Sequence, residues 1–185
     1  MSDERSREEP RRRDAARADR RGAEPGMRPS AASGVDPDSR RRVIIGVGND
    51  FRRDDGIGPA VVEHLREHVP ASVALTVTDG EPTQLLDAWD GADLAVVVDA
   101  VLCEPSVPGR IHRTEAVPQH AATPSTHGLG IPDAVRLADA LDRAPRRLVV
   151  YAVEAGDIGF GRELTPAVAA ALPTVTRAVL SEIQG

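Results

Sequence analysis

Residues 43–58 read Val-Ile-Ile-Gly-Val-Gly-Asn-Asp-Phe-Arg-Arg-Asp-Asp-Gly-Ile-Gly, an apolar β-branched run followed by glycines, a polar turn and two adjacent carboxylates. That order of residue types is strand, loop, helix start. Gly46 and Gly48 lack the Cβ that forbids positive φ, so the backbone can turn tightly or approach a neighbouring segment there. Asn49 tolerates the same left-handed conformation and bonds its own backbone in turns. Ile57, Val61, Val62 and Leu65 then recur at helical spacing, with Glu63, His64, Arg66 and Glu67 between them. Asp54 and Asp55 therefore stand at the mouth of a helix, where one of them suffices as a cap.

Outward from this unit the pattern repeats. Runs rich in Val, Ile and Leu occur at 43–47, 73–78, 94–98 and 148–153, separated by helical patterns near 57–68, 82–89, 128–142 and 165–183. Such alternation predicts βαβ units and a largely parallel sheet covered on both faces, and the nearly continuous apolar runs suit strands buried on both sides. A weaker strand around 109–114 follows the third run too closely for a crossover helix, so it is expected antiparallel, at an edge. The stretch 115–126 reads as a loop, and Thr165-Pro166 as a helix cap followed by proline at the first helical position. The expected class is thus α/β, a three-layer sandwich around a mostly parallel twisted sheet with one antiparallel edge strand.

The first 39 residues differ from the rest. They carry nine Arg, including Arg11-Arg12-Arg13 and Arg20-Arg21, balanced by nine Asp or Glu, and no apolar run. Such a segment cannot bury enough apolar surface to offset its ordering entropy, so residues 1–39 are expected to be a disordered N-terminal tail and 40–185 a single domain. No apolar h-region follows the arginine pairs, which argues against export; a solvated leader, or an upstream start with Met27 as the alternative, fits better. The whole formal charge of −6 falls on residues 40–185, which argues against nucleic acid as a partner. All 23 basic residues are Arg, so no active-site lysine exists. The single cysteine, Cys103, precludes an intramolecular disulfide, and no apolar run is long enough to span a bilayer. A cytoplasmic protein is expected, and a monomer.

Ligand crevices of open α/β sheets lie outside the carboxyl ends of the strands. Three candidate site residues map there: Asp55 after the first strand, Asp99 at the end of Leu94-Ala-Val-Val-Val-Asp, and His127 before the pattern that begins at Gly128. Asp99 must be paired, hydrogen-bonded or exposed at a cleft, because an isolated buried carboxylate is too costly. Two carboxylates and an imidazole form a mixed O/N set suited to a divalent ion such as nickel or zinc, open rather than closed because it lacks thiolates. Paired-acid hydrolysis, with one carboxylate kept protonated, would use the same groups. Spacing does not separate these. No Gly-x-Ser-x-Gly or His-Glu-x-x-His occurs, and Cys103 has no partner legible in the sequence. The glycine loop lacks the third glycine of a dinucleotide fingerprint, since Phe51 stands there, and two aspartates would repel a phosphate. No organic cofactor is expected.

Gly46-x-Gly48-Asn49 with Asp54-Asp55-Gly56-x-Gly58, then Val98-Asp99-Ala100, then Thr126-His127-x-Leu129, resembles the maturation endopeptidases of nickel-iron hydrogenases. The resemblance runs in order through most of 43–183, extending to Val153-Glu154 and Gly161-x-x-Leu164-Thr165-Pro166-x-Val168. It implies a five-stranded twisted sheet of the phosphorylase/hydrolase-like kind. It also implies an enzyme that removes a short C-terminal extension from a hydrogenase large-subunit precursor after nickel insertion, with the nickel carried by the substrate. Asp55, Asp99 and His127 are the positions that match the family's nickel-contacting residues, implied as both catalytic and metal-binding. Two alternatives use the same rim: a non-enzymatic assembly factor that binds the nickel-loaded subunit, and a metal-dependent hydrolase of small amides. Two departures stand out. Many family members have Glu where Asp55 stands, and Asp79-Gly80-Glu81-Pro82-Thr83 replaces the common Asp-Gly-Gly-Thr.

Overall fold

The computed structural model describes residues 40–116 and 130–185; the expected tail, residues 1–39, and the stretch 117–129 lie outside the described residues. Five strands, β1 (Arg42–Val47), β2 (Val73–Thr78), β3 (Leu94–Val101), β4 (Ile111–Ala116) and β5 (Leu148–Glu154), form one sheet in the order β2-β1-β3-β5-β4. All neighbouring pairs are parallel except β4 with β5, which is antiparallel at the edge as the short 101–111 connection requires. The helices are α1 (Ile57–Leu65), α2 (Pro82–Trp89), α3 (Ile131–Ala140) and α4 (Pro166–Gln184), and a 3-10 turn at Arg53–Gly56 precedes α1. Among the described residues no helix is long and apolar enough to cross a membrane.

Alternation along the apolar strands splits their side chains between two cores. Ile44, Val96, Val98, Val149, Tyr151 and Val153 pack with Ile57, Val61 and Leu65 of α1 and with Val168, Val175, Val179 and Ile183 of α4. Val43, Ile45, Val47, Ala95, Val97 and Leu148 pack on the other face with Leu85, Leu86 and Trp89 of α2 and with Ala134 and Ala138 of α3. Three layers result. Each fully buried Val, Leu or Ile contributes roughly 1.5–3 kcal/mol of transfer free energy, so both helical layers are held mainly by this burial. Polar bonds fasten the end of α4 to the edge of the sheet: Glu182 accepts from Arg113 Nε at 2.8 Å, Arg147 at 2.8 Å and the Tyr151 hydroxyl at 2.9 Å.

The chain leaves β1 for β2 on one side and returns to β3 on the other, so β1 and β3 flank the point where strand order reverses. A crevice opens at such a point because the two connections run to opposite faces. Two glycines let α1 sit against it. A Cβ on Gly58 would lie 2.3 Å from the Val47 oxygen and 2.6 Å from the Val98 oxygen, and one on Gly46 would lie 2.4 Å from the Gly58 oxygen. Only paired glycines permit this approach of helix to strands.

Candidate active site

Asp99 is the sixth residue of β3, one place beyond the last register pair of β3 with β1, Gly46 with Val98. Alternation puts its side chain on the face of Ala95 and Val97. It is 8% exposed. Burial pushes its pKa from 3.8 up to about 7; the Ala100 N–H opposes the rise and the neighbouring Asp55 charge adds to it. The carboxyl therefore holds a proton through the acidic range and releases it near neutrality. Mutual repulsion, the cause expected for a carboxylate pair, here raises it less than desolvation does.

Asp55 sits half-buried in the 3-10 turn, where its Oδ2 accepts the Asn49 N–H at 3.0 Å. Asn49 in turn accepts the Phe51 N–H at 2.9 Å through Oδ1, closing an Asx turn. Gly48 adopts φ +128°, and a Cβ there would lie 1.9 Å from the Asp55 oxygen, so this turn tolerates glycine alone. The structure thus brings Asp55 and Asp99 to the β1/β3 crevice. His127, the third candidate, lies outside the described residues.

Asp54 has a different task from the helix-capping one the sequence suggested. Gly56 occupies the cap position of α1 and no side chain bonds there. Asp54 is instead fully buried and accepts the N–H groups of Gly156 at 2.8 Å, Asp157 at 3.0 Å and Thr165 at 2.6 Å, together with the Thr165 hydroxyl at 2.9 Å. It clamps the loop after β5, and the residue that starts α4, to the turn carrying Asp55. Its partners lie 102 to 111 residues away, beyond any local motif.

The 79–83 departure builds a capped helix start. Glu81 accepts the Thr83 and Gln84 N–H groups at 3.0 and 3.1 Å, with Pro82 in the first turn where its missing N–H costs nothing. The Thr83 hydroxyl, its strongest partner, holds the Glu81 carboxyl below the usual range. Beside it, Gly130 at φ +129° lets the start of α3 approach the Gly80 oxygen, where a Cβ would come within 2.0 Å.

Sequence reasoning also missed a second group at this end of the sheet. Cys103, His112 and Glu154 each present a donor atom within 4.8 Å of the others. Glu154 closes the apolar run of β5 as Asp99 closes that of β3, and that shared signal could have flagged it. A cleft of about 380 Å³ lined by Arg40, Arg42, Arg146 and Arg147 lies instead at the amino ends of β1 and β5, away from both groups.

The rim beside Asp55 is exposed and aromatic. Both phenylalanines of the chain, Phe51 and Phe160, are 53% and 93% exposed, on loops joined by the hydrogen bonds Arg53 N to Gly161 O and Gly161 N to Phe51 O. Arg162 stacks on the Phe51 ring at 4.1 Å.

The family model described as hydrogenase maturation protease, HycI, matches residues 59–182. The hydrogenase expression/formation protein HupD of Bradyrhizobium diazoefficiens is 34% identical over 137 residues, covering 69% of this chain and 70% of its relative. The hydrogenase 2 maturation protease of Escherichia coli is 27% identical over 149 residues, 78% of this chain and 91% of that protein. Among solved structures, the hydrogenase maturating endopeptidase HybD from E. coli superposes with a TM-score of 0.65 at 26% identity, over 78% of this chain and 92% of that one. HybD from Thermococcus kodakarensis superposes with a TM-score of 0.60 at 25% identity, over 76% and 97% of the respective chains.

Proposed function

Because this chain belongs to the hydrogenase maturation protease family, a class of endopeptidase hydrolases, we propose that it removes the C-terminal extension of a nickel-iron hydrogenase large-subunit precursor after nickel insertion. The observation that carries the reading is the convergence of Asp55 and the buried Asp99 at the β1/β3 crevice. In this reading nickel arrives with the substrate and is not a resident cofactor. Asp55, Asp99 and His127 supply the two carboxylates and one imidazole that a borderline divalent ion accepts. Precursor without nickel brings the site no ligand. Precursor with nickel engages the Asp99 carboxylate, releasing to solvent any proton it still holds, and fixes the extension against the rim.

A folded protein is a fitting substrate for this rim. Exposed Phe51 and Phe160, with Arg52 and Arg162 beside them, form a surface of the aromatic and arginine type that anchors protein contacts. The acidic charge of residues 40–185 favours no nucleic acid, and we place the enzyme as a monomer in the cytoplasm. The test is the processing of nickel-loaded precursor by Asp99→Ala. Loss of cleavage with an unchanged circular dichroism spectrum is expected; wild-type cleavage by that variant would remove Asp99 from the mechanism.

A further inference from the structure

We propose that Cys103, His112 and Glu154 form a second metal site, for a thiophilic divalent ion of the zinc class, distinct from the Asp55–Asp99 crevice. The three residues come from the connection after β3, from β4 and from the end of β5, and their donor atoms all lie within 4.8 Å of one another. The group shares no residue with the first site. Ala152 pairs with Asp99 on one side and with His112 on the other, so the two sites flank one position of β5.

Glu154 is built as a ligand. It is 1% exposed, and its Oε2 accepts the Val107 N–H at 2.5 Å, which fixes the carboxylate and leaves Oε1 facing His112 Nε2 at 2.7 Å, with Arg110 at 3.5 Å. Orientation of a first ligand by a backbone donor is the usual support of metal centres. The loop carrying Cys103 is also pinned to β5. Gly109 N donates to Glu154 O at 2.8 Å, Glu154 N to Arg110 O at 2.9 Å, Ala155 N to Val101 O at 2.9 Å and the Ser106 hydroxyl to Ala155 O at 3.1 Å. Cys103 is partly buried, and the His112 side chain is 45% exposed, which leaves an entry path.

A tetrahedral ion with bonds near 2.0–2.1 Å separates its N and O ligands by about 3.3 Å. The 2.7 Å contact of His112 with Glu154 therefore opens by well under 1 Å when the ion takes the place of the shared proton. The thiol loses its proton on coordination, so binding releases protons to solvent. A thiolate in the set favours zinc-class ions and disfavours magnesium and calcium, and three protein ligands leave a fourth position open.

The test is cobalt(II) titration of the reduced full-length protein, with zinc as competitor. One equivalent of cobalt should produce a thiolate-to-metal charge-transfer band and intense tetrahedral visible bands, and zinc should abolish both. Cys103→Ser should lose the charge-transfer band, and His112→Ala, at a half-exposed position, should bind at least tenfold more weakly. Asp99→Asn, which changes the crevice, should keep the band, so that failure of the nickel reading and failure of this one are distinguished. No charge-transfer band in the wild type, or an undiminished one in His112→Ala, would overturn the site and reduce the group to a hydrogen-bonded His–Glu pair.

Discussion

Asp54 and Asp55 are neighbours in sequence, but it is Asp54 and Asp99, both buried, whose chemistry contrasts most. Asp54 accepts four hydrogen bonds, all from donors, so its charge is satisfied. Hydrogen bonds to a charged group contribute about 1.5–3 kcal/mol each before non-additivity, so Asp54→Ala should cost about 3 kcal/mol or more. Asp54→Asn should also destabilise, since its amide would turn N–H groups towards donors. Asp99 behaves in the opposite way. Its folded pKa of about 7 exceeds the 3.8 of an ordinary aspartate, so the folded protein retains a proton that the unfolded chain releases. That contribution is fully present below about pH 4 and is lost as pH rises through about 7. The gap corresponds to at most about 4 kcal/mol. Asp99→Asn imitates the protonated form, so it should be more stable than wild type at pH 8 and equal to it at pH 4 by denaturant unfolding. Equal stability at both values would contradict the burial argument. Under the proposed reading nickel capture requires the Asp99 carboxylate, so processing by the wild type should rise with pH up to about 7 and then level off; a flat profile between pH 5 and 8 would contradict it.

At the scale of the elements, α1 places the site by its closeness to β1 and β3. Gly58→Ala improves helix propensity by about 1 kcal/mol, yet its Cβ would meet the Val47 and Val98 oxygens at 2.3 and 2.6 Å. Overpacking of this kind costs typically 1–3 kcal/mol, and backbone atoms yield less than side-chain tips, so the clash should win. We expect a lower melting temperature and a loss of processing beyond what the stability change explains, because α1 moves together with Asp55. A variant with full stability and activity would show that this approach is dispensable. The sheet was legible because four of its five strands contain apolar runs of strand length, and several boundaries shifted where pairing or backbone geometry intervened. β3 runs on to Val101 through pairing with β5, past its last apolar run. β4 begins at Ile111 rather than 109 because Gly109, at φ +83°, turns beside α4. α3 begins at Ile131 because Gly130 adopts a positive φ. Asp99 and Asp55 were legible from the same logic of strand ends. The clamp of Asp54 and the grouping of Cys103 with His112 and Glu154 were not, because each joins segments by tertiary packing with no periodic trace.

For the whole molecule, the sheet order explains why two aspartates 44 residues apart share one crevice: the chain reverses its direction of growth between β1 and β3. In the proposed reading, the aromatic and arginine rim beside that crevice is where a large substrate rests while its metal centre is sensed. Under the proposed gating by nickel, two carboxylates and a histidine form a checkpoint for a completed metal centre. The most direct test is the intact mass of nickel-loaded large-subunit precursor before and after incubation with this protein, beside a nickel-free control. Loss of a short C-terminal peptide in the nickel-loaded sample alone is expected; cleavage of both samples, or of neither, would refute gating by nickel.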